Sequence, residues 1–192
     1  MSLVDSARSR VARITPIQLQ HNRLGFSLVE ILVVVAILGM MATLAAPSFL
    51  SWVNNKRIED ISAQVTGALK EAQAEAIRKS QSCRLTITTT SVTASPPSCL
   101  PTGTRDLTQV SGGESASGVT LIAQATPITI QFSPKGSTTS SNVLVFYHPD
   151  QAQGMRCLAI SSGIGLMRTG KFSGSHPPST SQANTNNCHT SM

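Results

Sequence analysis

Residues 26–50 form an almost unbroken apolar run, Phe-Ser-Leu-Val-Glu-Ile-Leu-Val-Val-Val-Ala-Ile-Leu-Gly-Met-Met-Ala-Thr-Leu-Ala-Ala-Pro-Ser-Phe-Leu. A helix of that length rises about 37 Å, enough to cross the hydrocarbon core of a bilayer. Beyond Trp52, which suits a membrane-interface position, the pattern changes. Ile58, Ile61, Val65, Leu69, Ala72, Ala76 and Ile77 recur at helical spacing. Lys56, Arg57, Glu59, Asp60, Lys70, Glu71, Glu75, Arg78 and Lys79 fall mostly on the other faces. The helix is therefore predicted to continue to about residue 80, with one apolar stripe that must be buried against something. From Cys83 the period switches to two, with Leu85 and Ile87 alternating with Arg84, Thr86 and Thr88. Further short runs at Val119–Ala123, Pro127–Phe132, Asn142–Tyr147, Met155–Ile160 and Gly165–Thr169 are separated by Gly, Pro and Ser turn signals. The reading is α+β: six or so antiparallel strands packed on the helix stripe. Residues 173–192 are Ser-, Asn- and Pro-rich and are expected to be flexible except where Cys188 ties them down.

Composition sharpens this. Charged residues make up 12% of the chain and aromatics 4%, low for a compact enzyme and ordinary for a small extracellular β-domain. The net charge is +6. Half of it lies in the first 25 residues, where Arg8, Arg10, Arg13 and Arg23 face only Asp5, so a basic pI is weak support for nucleic-acid binding. All four cysteines, Cys83, Cys99, Cys157 and Cys188, follow the apolar run, which fits disulfides in an oxidising compartment. Three pairings are open. The sequential one, Cys83–Cys99 with Cys157–Cys188, is expected because each bridge closes a short local loop and would contribute about 3 kcal/mol. Their spacing is not that of a zinc site, and no metal or cofactor is expected.

Glu30 stands four residues inside the apolar run. A signal peptide would have a shorter apolar stretch followed by a small-residue cleavage site. An ordinary anchor would not carry a lone carboxylate at that depth, which costs at least a few kcal/mol and is usually functional. The residues Arg23-Leu-Gly-Phe-Ser-Leu-Val-Glu30 resemble the prepilin signature of type IV pilins and type II secretion pseudopilins. That resemblance implies a type IV pilin fold, a cut by prepilin peptidase between Gly25 and Phe26, and N-methylation of the new Phe26 amino terminus. It also implies that Glu30 pairs with the terminal ammonium of a neighbouring subunit, each charge offsetting the other's burial. The four leader arginines would hold the N-terminus in the cytoplasm and place the C-terminal part outside. Pro47 matches a proline typical of these helices and is expected to kink the helix.

The implied organisation is a removed leader at 1–25, a transmembrane and filament-core helix at 26–52, an amphipathic helix at 53–80, a β-domain at 81–172 and a tail at 173–192. Gly67–Gln81 leading into Cys83–Ile87, with Phe132-Ser-Pro-Lys-Gly136 and Arg156-Cys-Leu-Ala-Ile160 further on, resembles the FimT/GspH branch. Gln73 stands where that branch often has Arg. The function implied is a minor pilin or pseudopilin of a type IV pilus or type II secretion pseudopilus. Its partners would be the peptidase, other pilins and the inner membrane before assembly into an extracellular filament.

No catalytic constellation is found. His148 and His176 stand beside prolines in expected loops and read as surface residues, and Gly163-Ile-Gly165 precedes no helix and is no phosphate loop. The chain is expected not to be an enzyme. The alternative is a DNA-binding minor pilin for natural transformation, with DNA as partner and Arg156, Arg168 and Lys171 as contacts. Some FimT proteins bind DNA through a C-terminal Gly-Arg-x-Arg. The comparable place here, Gly165-Leu-Met-Arg168-Thr-Gly-Lys171, lacks the adjacent Arg pair.

Overall fold

The computed structural model describes residues 26–109 and 118–190, without the side chains of residues 44–47. Gly25 and the rest of the leader, and the kink expected at Pro47, lie outside the described residues. Helix α1 spans Leu28–Arg78, and contacts divide the chain into two units, residues 1–42 and 43–192.

In the first unit α1 is apolar on every side and buries none of its described large side chains. Their exposure runs from 46% at Val34 to 75% at Leu28. Among the described residues no single helix is long and apolar enough to cross a membrane. The segments Leu28–Thr43 and Ser48–Arg78, taken as a pair, meet that requirement by length and composition.

In the second unit α1 acquires an inside. Ile58, Ile61, Val65, Leu69, Ala72 and Ala76 are buried, as the helical spacing predicts. Ile77, expected on the same stripe, is 52% exposed; it leans over Gly136, where an added Cβ would meet its Cδ1 at 2.6 Å. The helix stops at Arg78 because the chain turns left-handed at Ser80 (φ 50°). There the Ser80 N–H donates to Ile77 O and the Gln81 N–H to Ala76 O, the paired bonds that satisfy a helix's last carbonyls.

The strands are β1 Cys83–Ile87, β2 Ser91–Ser95, β3 Arg105–Asp106, β4 Thr120–Ile122, β5 Ile128–Phe132, β6 Asn142–His148, β7 Gln151–Ile160, β8 Met167–Phe172 and β9 Cys188–Thr190. They form two antiparallel sheets, ordered β3-β2-β1-β5 and β4-β6-β7-β8-β9. Both sheets feed one core with the helix stripe: Leu85, Ile130 and Phe132 from the first, Leu144, Phe146 and Leu158 from the second. The other face of the second sheet is also covered. Val143, Val145 and Cys157 pack with Phe172, Ala183 and Cys188, which is why β6 reads as a continuous apolar run and not as an alternation.

Three strands, β2, β3 and β9, were not predicted. The largest correction concerns residues 173–192, expected to be flexible. Through Thr190 they are folded: 3-10 turns at Thr180–Gln182 and Thr185–Asn187 lead into β9, which pairs with β8 through Gly170, Lys171 and Phe172. Ala183 is fully buried. A second correction concerns His148, read as a surface residue. It is buried, and its backbone carbonyl lies 2.9 Å from Nε2 of His176.

Candidate functional site

Phe26 is described just ahead of α1 and is exposed. Glu30 lies in the first turn of α1, where a carboxylate is favourably placed against the helix's positive end. It is exposed among apolar neighbours that are also exposed. Among the described residues of the first unit, then, a single carboxylate marks the start of an otherwise apolar, uncovered stretch of α1.

The four cysteines form two bridges, Cys83–Cys99 and Cys157–Cys188, each with a Cα–Cα distance of 5.7 Å. The first ties β1 to the 3-10 turn Pro97–Cys99. The second ties β7 to the C-terminal β9.

The three cations considered for DNA contact do not share a surface. Arg156 is directly opposite Lys171 in the β7–β8 ladder, whereas Arg168 is opposite Ala159. Positions 168 and 171 are an odd number apart, so their side chains leave opposite faces of the sheet. Arg156 and Lys171 lie on the side facing α1, where they line one groove with Glu59, Lys70 and His189. Arg156 is also engaged, forming an ion pair with Glu59. Glu59 in turn accepts from Lys56 at 2.8 Å. Lys56 first, then Arg156, holds the Glu59 carboxyl below its ordinary value against the opposing effect of burial.

Two further helix residues position the β-domain in roles that the helical spacing does not reveal. The Gln73 amide donates to Gly136 O at 2.8 Å and Ile164 O at 3.1 Å, fastening the β5–β6 and β7–β8 loops to the helix. Glu71 receives Thr102 N–H at 3.0 Å, Thr102 Oγ1 at 2.7 Å and Arg105 at 3.1 Å. Burial pushes the Glu71 carboxyl up. The Thr102 and Arg105 hydrogen bonds outweigh it, and the net direction is downward. The departure at Gln73 from the usual Arg was the sequence signal for the first clamp. Nothing local signalled the second, because Thr102 and Arg105 lie in a turn-rich stretch.

Residues 62–163, more than half of the chain, match the family described as Type II transport protein GspH. The chain belongs to the GspH family. Ahead of that region, residues 20–46 match the prokaryotic N-terminal methylation motif. This GspH-family chain is thus a type IV pilin-like structural protein whose N-terminal motif is one processed by a peptidase and used in assembly with other pilins. Two crystal forms of the type IV minor pilin FimU from Pseudomonas aeruginosa strain PAO1 resemble it at 14% identity and a TM-score of 0.40. Each covers 70% of this chain, with 93% and 98% of the FimU chains matched. No curated relative matches the sequence.

Proposed function

We propose that this protein is a minor subunit of a type IV pilus or type II secretion pseudopilus. It is held in the inner membrane by a single pass, with the leader in the cytoplasm and the β-domain outside, until it enters a filament. Prepilin peptidase cuts between Gly25 and Phe26 and methylates Phe26. Glu30 then pairs with the amino terminus of a neighbouring subunit. The observation that carries this reading is the first unit of α1: apolar all round, uncovered, and marked by one carboxylate in its first turn. Lipid before assembly and neighbouring helices after it would supply the missing cover, and the ammonium of Phe26 would supply the missing countercharge.

The DNA-receptor alternative draws less support. It calls on Arg156, Arg168 and Lys171 together, and these fall on two faces of the sheet, with Arg156 already paired.

Mass spectrometry of protein recovered from its host tests the reading, the expected chain beginning at N-methyl-Phe26. A mature chain that keeps residues 1–25 would overturn it. Glu30→Ala should leave cleavage and membrane insertion intact and reduce recovery in sheared filaments; equal recovery would reject the intermolecular pairing.

A further inference from the structure

The groove beside α1 has a chemistry that the assembly helix does not explain. Its floor is a row of basic side chains crossing three strands: Arg156 on β7 is opposite Lys171 on β8, and Lys171 is opposite His189 on β9. With strands about 4.8 Å apart, the row is about 10 Å long. Lys70 on α1 adds a cation from the facing wall. The groove holds about 770 Å³, within the range of about 300–1,000 Å³ usual for ligand sites.

Like charges directly opposite one another destabilise a sheet, so a row of this kind calls for carboxylates. Of the described carboxylates only Glu59 lines the groove, and it is already shared between Arg156 and Lys56. The remaining lining is small or hydroxylated, as at Ala63, Gly67, Thr66 and Thr169. That leaves room for a main chain and offers it hydrogen-bond partners.

We infer that this groove docks an acidic, extended segment of another filament subunit, its carboxylates supplying the countercharge to Lys70 and Lys171. The inference rests on the assembly reading above for the identity of the partner. A polypeptide fits better than a nucleic acid because the basic row is only about 10 Å long. Arg168, which could have widened the basic surface, lies on the opposite face of the sheet.

The test uses the full chain in detergent micelles and a dye-labelled synthetic peptide alternating Glu with Thr, read by fluorescence anisotropy at low and physiological salt. A peptide with Gln in place of Glu and a short DNA duplex serve as comparison probes. The Glu peptide should bind, weaken with salt, and be displaced by neither comparison probe. Lys70→Gln and Lys171→Gln should each weaken it about tenfold, the loss of one charge-assisted contact. Lys70→Arg and Lys171→Arg should retain it. Arg84→Gln, whose side chain bonds Gln131 on the other sheet, should change nothing. Unaltered binding in both Gln variants, equal binding of the Gln peptide, or groove-dependent binding of the duplex in place of the peptide would overturn the proposal. Mass spectrometry of the same preparation separates the two readings. A correctly processed chain that ignores the Glu peptide sinks the groove proposal alone, and an unprocessed chain that binds it sinks the assembly reading and the filament-subunit partner, leaving the groove's preference for an acidic segment.

Discussion

The two parts of α1 both carry large apolar side chains and use them in opposite ways. In the first unit Leu, Ile and Val occupy every direction around the helix and remain exposed. In the second unit, from Ile58 to Ala76, they are restricted to one stripe, and that stripe is buried under two sheets. The second arrangement is self-sufficient: the chain supplies its own cover, and polar residues face out. The first is not, because a helix without a polar face has no stable orientation in water. The contrast separates apolar residues that specify this domain from apolar residues that specify its surroundings.

Truncating one leucine in each part is the hardest test of that contrast. Leu69→Ala opens a cavity in a fully buried site and should cost about 2–5 kcal/mol in denaturant unfolding of the β-domain. Leu32→Ala, on the exposed part, should stay within about 0.5 kcal/mol in the same measurement. A comparable loss from Leu32→Ala would mean that the first part also packs within the chain.

Polar residues on the second part should produce a smaller and local effect. Gln73→Ala leaves the carbonyls of Gly136 and Ile164 without their donor and should cost about 1 kcal/mol. Its signature is faster amide exchange in residues 161–166 and 133–137, with β1 and β2 unchanged. Uniformly faster exchange would show that Gln73 supports the whole core and not two loops.

The smallest expected effect is pH-dependent. Glu59 and Glu71 both titrate below their ordinary value in the folded chain. Their stabilising contribution is therefore complete above the unfolded carboxylate value, about 4.3, and is lost as pH falls through the lower folded value. Thermal melts should show a midpoint that declines through this acid range, and Glu71→Gln should flatten part of the decline. An unchanged slope in Glu71→Gln would remove the Thr102–Arg105 clasp from the account.

Much of the architecture was legible because it depends on period. The stripe from Ile58 to Ala76 could be read at 3.6 and β1 at two. The Ser/Thr-rich strands could not. β2 buries Val92 alone, β3 has two residues, and β9 lies in a polar tail where Ala183, Cys188 and Met192 are too sparse to show a period. Ile77 followed the helical spacing but falls in the last turn, where it leans over Gly136 and remains half exposed. The separation of Arg168 from Lys171 was hidden because the strand expected at Gly165–Thr169 stops short of Lys171, which β8, Met167–Phe172, includes. The Glu59–Arg156 pair was not, because its partners are 97 residues apart and meet only when β7 crosses the helix.

The bridge from Cys157 to Cys188 gives the C-terminus an unusual kind of permanence. Residues 173–187 run over the outer face of the second sheet with many exposed positions, where proteases find substrates. A single cut there would not shed the end of the chain. The β9 peptide would remain tethered to a central strand by its sulfur, so that a nicked subunit keeps its covalent inventory until it meets a reductant. In an oxidising compartment, where reductants are scarce, such a chain would carry its damage without losing its last strand.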